Sequence, residues 1–290
     1  MIEVNQVCSN RLLSDVPPEW VLFGKSLAMQ DLKHKLVRVC STSVSVLLQG
    51  EVGVGKSLLS RFIHKYSPGL EGPYMRVNCS ALSSSLDCLD LFALPKLSRT
   101  HCSCCEATEN RSPHSGTLFF DQVSDLNPRL QYQVTNALAE RDLAKMSHQC
   151  SEGKGVRIIS ANIRSLREEV KLGRFRRELF YRLAVVTIDV PPLRNRVEDI
   201  PDLIEYFRLR YTAKLNVTNT PFPADLRSRA LSYRWPGNIR ELESFVRRCV
   251  LLGYDRCTFG EAASAIGCSR EWESRCCGSG AFRTKGQPGN

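Results

Sequence analysis

VSVLLQGEVGVGKSLLSRFIHKY, residues 44–66, is the stretch on which the fold turns. Val44 to Leu48 is a run rich in valine and leucine that leads to Gly50, the pattern of a buried strand entering a glycine turn. Leu58 to Tyr66 then carries apolar residues at helical spacing. Between them GEVGVGKS, Gly50 to Ser57, satisfies G-x-x-x-x-G-K-[ST] with the strand before it and the helix after it that this pattern requires. Glycines let the backbone wrap an anion with its N–H groups inward, and a helix start adds its positive dipole end. A glycine loop that merely turns the chain is the alternative, and the strand, loop and helix together disfavour it. Gly50, Glu51, Val52, Gly53, Val54 and Gly55 are therefore candidate nucleotide-binding positions. Lys56 is expected to reach the β and γ phosphates, and Ser57 to offer a hydroxyl to Mg²⁺.

Outward from this loop, further strands are expected at Tyr74 to Val77, Thr117 to Phe120, Val156 to Ser160 and Ala184 to Val190. Helical segments alternate with them, beginning with Ser26 to Val39, so the expected sheet is parallel and the class α/β. After Pro191 and Pro192 the pattern becomes helical alone, over Ile200 to Leu215, Ala224 to Tyr233 and Asn238 to Leu252. Residues 1–22 read as an irregular leader, with Pro17 and Pro18 breaking any helix before Trp20. From Cys268 the sequence turns to Gly, Ser, Arg and Cys without periodicity, and the tail is expected to be disordered. The chain of 290 residues is 42% hydrophobic, which excludes disorder throughout. Nothing approaches a membrane span or a secretory signal, so the expected location is the cytoplasm. Thirteen cysteines, an odd number, then read mostly as reduced thiols. The net charge of +10 permits contact with nucleic acid without requiring it.

A nucleotide site of this kind needs a second acidic strand end, and TLFFDQ provides Asp121 after four residues of apolar strand character. Ser57 and Asp121 are thus the expected magnesium-side residues. In most ATPases of this type a glutamate follows and takes a proton from the attacking water, whereas here Gln122 follows. An amide cannot act as that base, although a glutamine orients water in some P-loop GTPases.

Several segments together resemble the AAA+ central domain of bacterial sigma-54-dependent transcription activators. They are GKSLAMQDL, GEVGVGKS, YMRVNCSAL, GTLFFDQVSDLNPRLQ, VRIISANIRSL, GRFRRELFYRL, PPLRNRVEDIP and WPGNIREL, spread from about Phe23 to Leu252. The resemblance implies a P-loop AAA+ fold: a three-layer parallel sheet over residues 23–191, a C-terminal α-helical lid over 192–254, and a short helix and tail over 255–290. It also implies ATP as ligand, a ring of subunits, usually a hexamer, and action on the sigma-54 RNA polymerase. By position, Asn78 matches the asparagine that restrains the catalytic glutamate, and here its hydrogen-bond partner is expected to be the amide of Gln122. Arg176 and Arg182 match arginine fingers that reach a neighbour's nucleotide. Arg240 matches the sensor II arginine, with Asn238 expected to cap its helix. Asn162, followed by Ile163, stands where the family places Thr-Asn, so the sensor I polar group is expected to be shifted or lost.

Other departures bear on partners. The family's GAFTGA loop, which grips sigma-54, is absent after LDLFALPK, and a Cys-rich segment with His101, Cys102, Cys104, Cys105 and His114 stands in its place. The cluster is too tightly spaced to form a zinc site by itself, and Cys276 and Cys277 are remote. FGEAASAIGCSREWESR resembles only the first half of a helix-turn-helix, so DNA reading is not expected. The sequence reads as an ATP-binding ring subunit with weak or altered hydrolysis, or alternatively as a non-hydrolysing subunit that joins active homologues.

Overall fold

The computed structural model describes residues 16–67, 72, 74–82, 116–146, 156–217, 220–254 and 259. The Cys-rich segment, LDLFALPK and the half helix-turn-helix after Phe259 lie outside these residues. Among the described residues five strands form one parallel sheet: β1 (Val46–Gln49), β2 (Tyr74–Asn78), β3 (Gly116–Asp121), β4 (Val156–Asn162) and β5 (Val186–Asp189), in the order β2-β3-β4-β1-β5. The central strands β1, β3 and β4 are covered on both faces and read as near-continuous apolar runs, whereas the edge strands β2 and β5 mix buried and exposed positions.

Alternation along β1 divides the core. Val46 and Leu48 pack with α1 (Glu19–Phe23), α2 (Leu27–Cys40) and α3 (Lys56–Lys65), through Phe23, Leu36, Leu59 and Phe62 among others. Leu47 faces the opposite side, with residues of α4 (Pro128–Met146), α5 (Leu166–Lys171) and α6 (Arg177–Leu183). These are the three layers. All three β1 side chains are fully buried, and truncating one to alanine is expected to cost about 2–5 kcal/mol.

The helical remainder consists of α7 (Ile200–Leu215), α8 (Ala224–Ser232) and α9 (Asn238–Leu252), packed around Trp235, whose Nε1 donates to Ala230 O at 2.8 Å. Val21 and Leu193 join this cluster, so α1 contributes to both cores. Residues 19–22, read from sequence as irregular leader, are helical: Pro18 precedes the helix rather than interrupting it, and Val21, Leu22 and Phe23 are buried. Asp199 binds the N-terminus of α2, accepting from Lys25 N, Ser26 N and Ser26 Oγ at 2.7–2.9 Å. Gly24 lies at φ +55°, where a Cβ would stand 2.3 Å from the Asp199 carboxyl, so this close approach requires glycine. Among the described residues no helix is long and apolar enough to cross a membrane.

Candidate functional site

The P-loop lies between the end of β1 and the start of α3, where the hydrogen bonds of its backbone are one-sided. Every carbonyl from Gly50 to Gly55 has a donor. Lys56 Nζ donates to Gly50 O and Glu51 O at 2.6 and 2.8 Å, Asn238 Nδ2 to Val52 O, Ile239 N to Gly53 O and Arg196 Nη2 to Val54 O. Gly55 O accepts from Leu58 N and Leu59 N. Gly50 N donates to Asn162 O, but the N–H groups from Glu51 through Ser57 have no acceptor among the described residues. A run of unpaired donors at a helix start is an anion cradle.

Lys56 sits at its base. The side chain is buried, and its hydrogen-bond partners are carbonyls rather than carboxylates. Burial pushes its pKa down from 10.5 to about 8, opposed by the charge of Asp121 and deepened by that of Arg240. An anion placed here would restore the ammonium. Arg240, on the first turn of α9, is thus electrostatically coupled to Lys56. The lid touches the loop closely at Gly53, φ +79°, where a Cβ would stand 2.2 Å from Gly237 O.

Asn238 departs from expectation. It lies at φ +53°, its side chain does not cap α9, and it is fully buried. Its Oδ1 accepts from Leu193 N at 2.7 Å, while Nδ2 donates to Val52 O and Glu51 Oε2. Arg194 holds the same Glu51 carboxylate through two nitrogens at 2.6 and 2.8 Å, which lowers the Glu51 pKa. The local capping preference yields to a buried site that uses both ends of the amide.

Beside the loop lies a cavity of about 330 Å³, lined by Val21, Leu22, Val54, Leu58, Tyr206 and Ile239 among others. Its mainly apolar wall between α1, α3 and the lid suits a flat aromatic group. Of these the motif reading named only Val54, because the others come from four separate helices.

Asp121 ends β3, in register with Asn78 of β2. Its carboxylate accepts from Arg76 Nε and Nη2 at 3.2 and 2.5 Å, an ion pair with no signal in the sequence. Asn78 and Gln122 are not hydrogen-bonded to each other. Asn78 Oδ1 accepts from Ser80 N at 3.3 Å, and Ser80 Oγ lies 3.1 Å from Gln122 Oε1 and 2.5 Å from Asp125 Oδ2. Ser80 therefore stands where a direct amide pair was expected. Gln122 itself adopts the left-handed conformation, φ 57° and ψ 58°. Asn162 is buried at the end of β4, accepting from Ser124 N and donating to Arg164 O at 2.9 Å. Its amide holds the turns after β3 and β4 in place.

The arginine pair lies at α6. Arg176 precedes the helix with its guanidinium 5.2 Å from the Tyr132 ring centre, and Arg182 pairs with Glu178 at 3.5 Å. Buried Gln131, which the sequence reading did not single out, fixes this segment: its Nε2 donates to Leu126 O and Arg174 O, and its Oε1 accepts from Arg176 N.

A parallel sheet with a P-loop at the end of β1 and a helical lid packed on that loop is the architecture of the AAA+ class of P-loop proteins. Residues 22–189 match the sigma-54 interaction domain, and residues 194–258 match the AAA+ ATPase lid domain. The chain belongs to the sigma-54 interaction domain family. It is 40% identical over 233 residues to the transcriptional regulatory protein ZraR of Klebsiella oxytoca, covering 80% of this chain and 52% of that protein. To the transcriptional regulatory protein XylR of Pseudomonas putida it is 39% identical, covering 79% of this chain and 40% of the relative. The crystal structure of NtrX from Brucella abortus in complex with ATP aligns with a TM-score of 0.65 and 29% identity, covering 83% of this chain and 55% of that one. The chain therefore spans about half the length of these relatives.

Proposed function

We propose that this chain is an ATP-binding subunit of a sigma-54-type transcription regulator, assembling into a ring and hydrolysing ATP slowly. One observation carries the reading: the unpaired N–H groups of Glu51 to Ser57 surround a buried ammonium whose partners are uncharged. That arrangement fits a polyphosphate, and the apolar cavity by Ile239 fits the attached base. Related NtrX has been crystallised with ATP and with ADP. In this reading Lys56 and the loop N–H groups bind the phosphates, and Arg240 adds charge from the lid. Ser57 and Asp121 present hard oxygen donors that would hold magnesium, which when bound neutralises phosphate charge. Arg176 and Arg182 would serve a neighbour's nucleotide. Exposed Tyr132, Leu172 and Tyr181 around them support an oligomeric surface in a ring, in the cytoplasm.

Slow hydrolysis follows from Gln122, which cannot take a proton from water and is already bound to Ser80. The same bond favours a second reading, a non-hydrolysing subunit that joins active homologues. Phosphate release from the wild type and from Gln122→Glu separates the two. A rise in kcat of about a hundredfold or more with nucleotide affinity unchanged supports the slow ATPase. No rise supports the non-hydrolysing subunit.

A further inference from the structure

We infer that Arg76 is an internal counter-ion of Asp121 that a divalent cation must displace, so that this site admits nucleotide before metal. The inference rests on the nucleotide-binding reading above. Asp121 is only 14% exposed, and both Arg76 nitrogens converge on its Oδ2. Arg76 comes from β2, the edge strand of the sheet, and its own side chain is 44% exposed. It lies two residues before Asn78 and so on the same strand face, one diagonal step from Asp121. A side chain on an edge strand can swing into solvent without breaking a backbone hydrogen bond of the ladder.

The charges decide the order. A guanidinium and a divalent cation repel, and one carboxylate of limited exposure does not hold both at contact distance. Without metal, Arg76 cancels the Asp121 charge that would otherwise repel incoming phosphates, and Lys56 nearby feels the same carboxylate. With metal, the same arginine becomes a competitor. Arg76 therefore has two effects of opposite sign on the same ligand, which a residue that only braces β2 against β3 does not have.

The test is equilibrium binding of a fluorescent methylanthraniloyl-ADP to the full chain, first in EDTA and then at fixed nucleotide with Mg²⁺ added. Arg76→Gln removes the charge and retains polar reach. It should weaken binding in EDTA about threefold and lower the Mg²⁺ concentration for half-maximal effect about tenfold. Arg76→Lys keeps the charge without the fork and should shift the Mg²⁺ midpoint in the same direction by about twofold. It carries the test should the glutamine variant fail to fold. In an Asp121→Asn background, Arg76→Gln should change neither quantity. An unchanged Mg²⁺ midpoint, or weakening both with and without metal, overturns the inference while leaving nucleotide binding intact. Absence of nucleotide binding by the wild type under both conditions overturns the proposed function and this inference with it.

Discussion

Between Gly50 and Ser57 the backbone keeps its carbonyls satisfied and its N–H groups unpaired, whereas around Asp121 and Gln122 the polar side chains are bonded to one another. The first region is arranged for a ligand that the protein does not itself imitate. In the second, Arg76 holds the Asp121 carboxylate, Ser80 Oγ lies 3.1 Å from Gln122 Oε1, and Asn162 is itself committed to Ser124 N and Arg164 O. The difference teaches that, on the proposed reading, binding and turnover would rest on separate groups: the loop offers unpaired donors to an anion, while the Asp121 end is closed by internal partners.

The largest expected effect that would break this contrast is Lys56→Ala. Removing the only side-chain cation inside the loop should weaken ATP binding by about a hundredfold or more, measured by fluorescence titration. Retained affinity would mean that the open end is not the binding end. Next is pH. The Lys56 pKa is depressed to about 8, and bound phosphate should raise it, so binding takes up a proton above that value. Affinity should then fall about tenfold between pH 7 and pH 9, with proton uptake seen by calorimetry in two buffers of different ionisation enthalpy. Smallest is Ile239→Ala, which thins the cavity wall against the base. It should weaken ATP binding about fivefold and leave inorganic tripolyphosphate unaffected, sharpening the division between base and phosphate contacts.

Much of this architecture was legible in the sequence. The central strands β1, β3 and β4 appear as apolar runs because both sheet faces are covered there, and the P-loop announces itself through its glycines and Lys56. Helix α4 did not appear as a periodic segment, because its buried face includes Gln131 and Thr135 beside Leu130 and Val134. Its start nevertheless carried a signal: Asn127 Oδ1 caps Leu130 N at 2.8 Å, just before Pro128. The site was legible where one segment builds it and illegible where several do. Asn238 was read by a local capping rule, yet its amide is committed to Leu193, Val52 and Glu51, two of them 186 and 187 residues away. The Arg76–Asp121 pair depends on the register of β2 against β3, and Ser80 meets Gln122 only because the turns after those strands adjoin. None of these separations leaves a spacing to recognise.

The most direct test of the central claim is calorimetric titration of the folded chain with ATP in the presence and absence of Mg²⁺. We expect saturable binding of one ATP per chain with a micromolar dissociation constant (Kd). A well-folded sample that gives no binding signal under either condition, checked by fluorescence with a labelled nucleotide, would contradict it.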